Sequence, residues 1–205
     1  MMTNEEKMLA GKIYNSGDPN LQEKMRRAHR LCKIYSDTFD DERAKRQDLI
    51  DKLVPEHGKN TFFQGPVFFD YGINTKIGDN FYANYNLTVL DTCPVVLGNN
   101  EFFGPNVTLA TPLHGLLYTD RNTQVINSQE VTLEYGKPLT IEDNCWLGSN
   151  VVVNGGVTIG AGSVIGSGSV VTRDIPTGVL AVGNPCRVVR KLTLADQIKL
   201  KKELW

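Results

Sequence analysis

Histidine is the side chain best matched to moving a proton near neutral pH, and the chain has three of them. His29 lies in a strongly charged stretch and His57 in a linker reading EHGKN, and both read as ordinary surface residues. His114 is different. It stands near the start of a polar segment, about Thr111 to Pro138, that interrupts a regular repeat. A long excursion from a rigid scaffold is a common carrier of chemistry, so a general-base role for His114 stands beside that of an exposed or capping loop histidine. Glu134, just ahead of a GKP segment, is either the carboxylate that holds such an imidazole in tautomer and direction or a solvated loop residue. Cys32, Cys93, Cys145 and Cys186 are scattered without a CxxC pair, which reads as reduced thiols rather than a disulfide framework or zinc knuckle.

These residues need elements to position them. From Ile141 an apolar residue recurs at every sixth position, through Leu147, Val153, Ile159, Ile165 and Val171. The same frame appears more briefly at Leu97, Phe103 and Leu109 and around Ile77. A period of six suits neither a helix nor a simple alternating strand. It suits a solenoid of short parallel strands, three per coil, with the apolar residue inward and small residues at the corners. Seven of the 19 glycines fall between Gly148 and Gly168, which the frame explains as corners needing positive φ. Such coils also carry zinc hydratases, but those need three histidine ligands and this half of the chain offers one.

The first quarter is built otherwise. Residues 1–52 hold 21 of the 45 Asp, Glu, Lys and Arg, whereas residues 139–185 hold only Glu142, Asp143, Arg173 and Asp174. Met8, Leu9 and Ile13 suggest a short helix, and Asp18-Pro19 a cap and first turn of a second, with Leu21, Met25, Ala28, Leu31, Cys32 and Tyr35 on one stripe. A third helix is expected over about Asp40 to Val54, presenting Ala44, Leu49, Ile50 and Leu53. The expected organisation is a helical segment over 1–55, a coil over 56–190 with a protruding loop at 111–138, and a helical tail over 191–205.

With 205 residues the chain is long enough for one cored domain and a small appendage. A net charge of −1 lacks the basic excess of a dedicated nucleic-acid binder, though a local basic pocket fits within it. The start, MMTNEEKMLAGKIY, lacks the pattern of a secretory signal, and no run approaches the roughly 20 apolar residues of a membrane span. The expectation is a soluble, cytoplasmic protein.

AGKIY at 10–14, DYGINTKIGDNFYANYNLTVLD at 70–91, GPNVTLATPLH at 104–114, YGKPLTIEDNCWLGSNVVVNGGVTIGAGSVIGSGSVVTRDIP at 135–176 and VGNPCRVVRK at 182–191 carry a recognisable likeness. The chain resembles the maltose and galactoside O-acetyltransferases of the hexapeptide acyltransferase superfamily. The resemblance implies a mainly β fold, a left-handed parallel β-helix, assembled as a homotrimer with sites at subunit interfaces and the helical segment over the acceptor site. It implies acetyl-CoA as donor and a sugar hydroxyl as acceptor; with the charge, hydropathy and histidine count, no metal, nucleic acid or membrane partner is expected.

By the same resemblance His114 takes the general-base position, with Glu134 and Asn84 completing the catalytic set, and the N–H of Ser149 faces the developing oxyanion. Asp70, Tyr82, Asn84 and Asp91 match the acceptor side, although Asn84 and Asp91 also suit corner capping. Asp70 leans towards glucose-type acceptors, because the galactoside branch tends to carry serine there. Trp146, Ser149, Ser167, Thr172, Arg173, Arg187 and Arg190 match the donor side, the arginines suiting phosphates. Two departures bear on the acceptor: Gly115 follows His114 where the family often has proline, and the loop is longer than usual. Cys93 and Cys145 raise a covalent acetyl-cysteine route as an alternative to direct transfer. An antibiotic O-acetyltransferase and a non-catalytic trimeric solenoid are the rival functions.

Overall fold

The six-residue frame folds as a three-sided coil, described over residues 2–204 by a computed structural model. Its first face stacks residues 56–57, 75–77, 95–97, 139–141 and 158–159. The second stacks 62–63, 82–83, 102–103, 146–147, 164–165 and 179–182, and the third 67–69, 87–90, 108–110, 152–154 and 170–171. The chain visits the faces in that order, turn after turn, in a left-handed parallel β-helix of about six turns. Arg187–Lys191 then runs antiparallel to Val179–Val182 and ends the second face. Ile141, Leu147, Val153, Ile159, Ile165 and Val171 are all fully buried, so the frame residues are the core.

The corners bear out positive φ for Gly156, Gly162 and Gly168 and correct it for the other glycines of the cluster. Gly148, Gly160 and Gly166 do not have positive φ; they are required because a neighbouring turn lies too close, a Cβ on Gly148 standing 2.7 Å from the Ser167 nitrogen. The left-handed slot at the corner between the first and second faces is filled by Asn60, Asn80, Asn100 and Asn144 in successive turns, each with φ near 60°, and by Gly162 and Gly178 in the turns after them; Gly156 and Gly168 take positive φ at the other two corners. Asparagine tolerates that conformation and here adds a side-chain ladder: Asn60 donates to Asn80, Asn80 to Asn100 and Asn100 to Asn144 at 2.8–3.0 Å.

The turns differ in length. Phe62 aligns with Tyr82 and Tyr82 with Phe102, a step of twenty residues, whereas Trp146 aligns with Val164, a step of eighteen. The two extra residues fall at one corner, between the third face and the first: Phe69 to Ile77 and Val89 to Leu97 span eight positions where Val153 to Ile159 spans six. At the third such corner, after Leu109, the excess becomes the whole segment 111–138.

Three helices precede the coil: α1 (Asn4–Leu9), α2 (Pro19–Ser36) and α3 (Arg43–Leu53). Asp18 caps α2 by accepting the N–H groups of Asn20 and Leu21; the helix packs on the strand at 67–69 and buries Ala28, Cys32 and Tyr35 in the main core, while Leu21 is buried with Met8, Tyr14 and Tyr71. Ile13 lies beyond α1 and is exposed; Tyr14 next to it is the buried residue. On α3 the expected Ala44 is exposed and Arg46 takes the inward position, because its guanidinium donates to the carbonyls of Phe63 and Gln64 (2.7 Å each) and pairs with Asp40. Residues after 191 form three short 3-10 turns at 194–196, 198–200 and 202–204. Among the described residues no helix is long and apolar enough to cross a membrane.

Candidate active site

The three expanded corners lie one above another along a single edge of the prism. The first carries Asp70 and Tyr71, the second Asp91, Thr92 and Cys93, and the third the segment with His114 and Glu134. The third is an arm with its own structure. Pro112–Leu113 pairs antiparallel with Leu133–Gly136, and a short helix at Tyr118–Arg121 and a hairpin of 124–126 with 129–131 lie between. Thr111 roots the arm: its buried hydroxyl donates to the Leu90 carbonyl at 2.7 Å and accepts the Cys93 N–H at 2.9 Å.

On the other side of Leu133–Gly136 lies Tyr14–Asn15 from the N-terminal segment, making a three-stranded antiparallel sheet with the Glu134 strand in the middle. Register sets the chemistry. Tyr14 is directly opposite Glu134, and Leu113 is opposite Tyr135, so continuing that register one residue past the last pair brings His114 towards Glu134; among the described residues no hydrogen bond or ion pair joins the two side chains, but their charges interact. Directly opposed residues share a face of the sheet, so Tyr14, Glu134 and His114 form a row. The Tyr14 hydroxyl donates to Glu134 Oε1 at 3.0 Å. Burial raises the Glu134 carboxyl above its ordinary range, opposed by the Tyr14 hydrogen bond and the positive charge His114 can carry. Burial together with the Glu134 charge also keeps the Tyr14 phenol neutral, a permanent donor.

Asp70 completes this edge. Burial, then the charges of Asp91 and Glu134, push its carboxyl up to about 7, so at neutral pH it can donate or accept a hydrogen bond. His29 on α2 approaches it, Nε2 to Oδ1 being 3.9 Å, which the reading of His29 as an ordinary surface residue missed. A cavity of about 420 Å³ opens from Asp70 between α2 and the third face, lined by His29, Cys32, Lys33, Phe68, Phe69 and Leu90 among others. Nothing local in the sequence marks His29; only the crossing of α2 over the coil brings it there.

Asp91 requires correction. It is fully buried, with Oδ1 accepting the Tyr71 N–H at 2.8 Å and Oδ2 the Thr75 hydroxyl at 2.9 Å, so it braces the corner that presents Asp70 rather than facing an acceptor itself. The Asn84 side chain is likewise engaged locally, accepting the Tyr85 N–H at 2.8 Å. Arg190 pairs with Asp196 through two hydrogen bonds of 2.8 and 2.6 Å at an exposed position. The Ser149 N–H, expected to face an oxyanion, donates to Ser167 Oγ at 3.1 Å.

The remaining residues separate into two groups. Thr172 and Arg173 are exposed on the same edge as His114, some turns along. Tyr82 and Trp146 are on the second face, in an outward aromatic ladder of Phe62, Tyr82, Phe102 and Trp146; Tyr82 stacks on Phe62 with centroids 5.9 Å apart. Asn84, Ser149 and Ser167 follow at that face's next corner, and Arg187 lies on its last strand. In a three-sided prism the second face is opposite the edge where the third meets the first. Within one chain, therefore, these residues do not meet His114.

Neither cysteine offers a ready thiolate. Cys93 is buried, its thiol donating to the Met8 carbonyl at 3.1 Å and raised by that burial, and burial pushes the Cys145 thiol up to about 12. Among the described residues no three His, Cys, Asp or Glu side chains are grouped to hold a metal ion.

Comparison with known proteins agrees with this architecture. Residues 7–58 match the maltose acetyltransferase hexapeptide capping motif, and residues 138–173 match the six-repeat bacterial transferase hexapeptide. The chain is 41% identical to galactoside O-acetyltransferase of Escherichia coli over 94% of its own length and 91% of that protein's. It superimposes with a TM-score of 0.86 on a maltose O-acetyltransferase from Clostridium difficile, at 40% identity and covering 94% of this chain and 98% of that one. With a galactoside acetyltransferase solved in complex with coenzyme A the TM-score is 0.87, at 41% identity, covering 96% and 94%. A helical cap, hexapeptide coils and full-length similarity at this level have one consequence: the chain belongs to the maltose and galactoside O-acetyltransferase family of hexapeptide-repeat acetyltransferases.

Proposed function

We propose that this protein moves the acetyl group of acetyl-CoA directly to a hydroxyl of a sugar, with His114 as general base. Family membership makes it an acetyl-CoA-dependent acetyltransferase. The observation that carries the finer reading is the row of His114 and Glu134 beside Asp70, on the one edge where three successive turns are expanded. A sugar hydroxyl is a poor nucleophile until its proton leaves. His114 takes that proton as the oxygen attacks the thioester carbonyl, Glu134 stabilises the imidazolium, and the proton passes to the departing CoA sulfur. The Ser149 N–H is assigned to the oxyanion, exchanging its Ser167 hydroxyl partner for the thioester oxygen. The raised thiols of Cys93 and Cys145 favour direct transfer over an acetyl-cysteine.

The separation of Tyr82, Asn84, Trp146, Ser149 and Ser167 from His114 on opposite sides of the prism supports a homotrimer in which one subunit's edge meets its neighbour's second face. The arm exposes Leu116, Leu117 and Tyr118 (94%, 66% and 65%), apolar surface suited to such a contact. Asp70, able to donate and accept at once, suits a diol, and glucose or maltose are the acceptors assigned to it. The test is thiol release from acetyl-CoA over a panel of glucose, maltose, galactosides and chloramphenicol. Sugar-dependent release is expected; release only with chloramphenicol, or none, overturns the reading.

A further inference from the structure

Tyr14 lies outside the β-helix, in a two-residue strand that the N-terminal segment lends to the arm. It is 2% exposed, buried with Met8, Leu21 and Tyr71. Packing alone would be served by phenylalanine, yet the phenol oxygen is aimed at Glu134 Oε1, 3.0 Å away. Oε2 has no hydrogen-bond partner among the described residues, and His114, one residue past the last pair of the neighbouring strand, is close enough for its charge to favour the carboxylate. We infer that Tyr14 is a positioning residue for catalysis: its hydroxyl fixes the Glu134 carboxylate so that the carboxylate can stabilise the imidazolium of His114. The inference rests on the assignment of His114 as base and Glu134 as its orienting carboxylate.

The electrostatics of the pocket give the hydroxyl a specific task. Glu134 is half-buried, and the groups near enough to feel its charge are Asp70, Tyr71, Cys93, Tyr14 and His114. Asp70 is an acid competing for the same solvation. Tyr14 supplies the hydrogen bond that favours the charged carboxylate, and His114 supplies the counter-charge only once it has taken a proton. Without the hydroxyl, Glu134 takes up a proton at higher pH and, once neutral, no longer stabilises an imidazolium. The N-terminal segment thereby does more than cover the acceptor. Its docking supplies the donor that completes the row.

Tyr14→Phe keeps the ring and removes only the oxygen. A hydrogen bond to a charged group of this kind corresponds to a fall in kcat of about ten- to a hundredfold, with the KM values for acetyl-CoA and sugar little changed. The loss should deepen as pH falls, because protonation of Glu134 then removes more of the enzyme; a purely structural defect would lower activity evenly across pH and lower the melting temperature. The decisive measurement repeats the substitution in a Glu134→Gln background, where Tyr14→Phe should change kcat less than twofold. Equal kcat and an unmoved pH profile for Tyr14→Phe, or a full additional loss in the Glu134→Gln background, overturns the role of Tyr14. Full activity of His114→Ala would instead overturn the underlying assignment, so the two failures are distinguishable.

Discussion

Glu101 is a carboxyl buried in the coil without a full set of partners, and replacing it with glutamine should stabilise the protein increasingly as pH rises. Phe102 aligns with Trp146 and Asn100 donates to Asn144, so Glu101 occupies the inward column one turn below Cys145. It is 0% exposed, Oε1 accepts only a long hydrogen bond of 3.3 Å from the Cys145 N–H, and Oε2 has no partner among the described residues. Burial, with only that N–H opposing it, pushes the carboxyl from 4.5 up to about 8. In the unfolded chain it ionises near its ordinary value. Between these values the folded protein holds a proton that the unfolded chain has released, so stability falls as pH rises from about 4.5 to about 8.

The slope is about 1.4 kcal/mol per pH unit, so between pH 5 and pH 8 the loss from this one group is roughly 4 kcal/mol. Glu101→Gln keeps the volume and the acceptor for Cys145 but does not titrate. Urea unfolding of both proteins at pH 5, 6.5 and 8, at one protein concentration, should show a stability difference that grows by several kcal/mol in favour of the variant. A difference that stays constant with pH would refute the reasoning, since it would mean that Glu101 is ionised in the folded state throughout or meets water there.

Other consequences follow from the same geometry. Arg46→Ala leaves the carbonyls of Phe63 and Gln64 without their donor and should cost about 3–5 kcal/mol in chemical denaturation; wild-type stability would show that α3 is held by its apolar face alone. Asp70→Ser should lower kcat/KM for glucose and maltose by about ten- to a hundredfold relative to a galactoside, and an unchanged ratio would remove Asp70 from acceptor choice. Gly148→Ala brings a Cβ within 2.7 Å of the Ser167 nitrogen and should weaken acetyl-CoA binding measured by calorimetry, because those two turns bear the donor-side residues; unaltered binding would put the donor elsewhere.

The coil was legible from Ile141 to Val171 because the inward position repeats without a slip, and a repeat is a property of sequence alone. The same reading was right about Gly156, Gly162 and Gly168, which have positive φ, but not about Gly148, Gly160 and Gly166: the close approach of the next turn, 2.7 Å at Gly148, is a feature of stacking that spacing does not reveal. His114 stood out by scarcity and by the break in the frame. Tyr14, Arg46 and His29 did not, since each gains its role from a partner far away in the chain: Tyr14 meets Glu134 across 120 positions. Asp91 illustrates the opposite case. Its type suits a ligand, but the Tyr71 amide and Thr75 hydroxyl claim its carboxylate oxygens.

The central claim is that His114 takes the acceptor proton, and single-turnover acetylation by His114→Ala tests it most directly, with acetyl-CoA affinity measured on the same variant. The account predicts unchanged affinity for acetyl-CoA and a rate lower by about 10²–10⁴-fold, the usual contribution of a general base. A variant that binds acetyl-CoA normally and still acetylates sugar at close to the wild-type rate would contradict it.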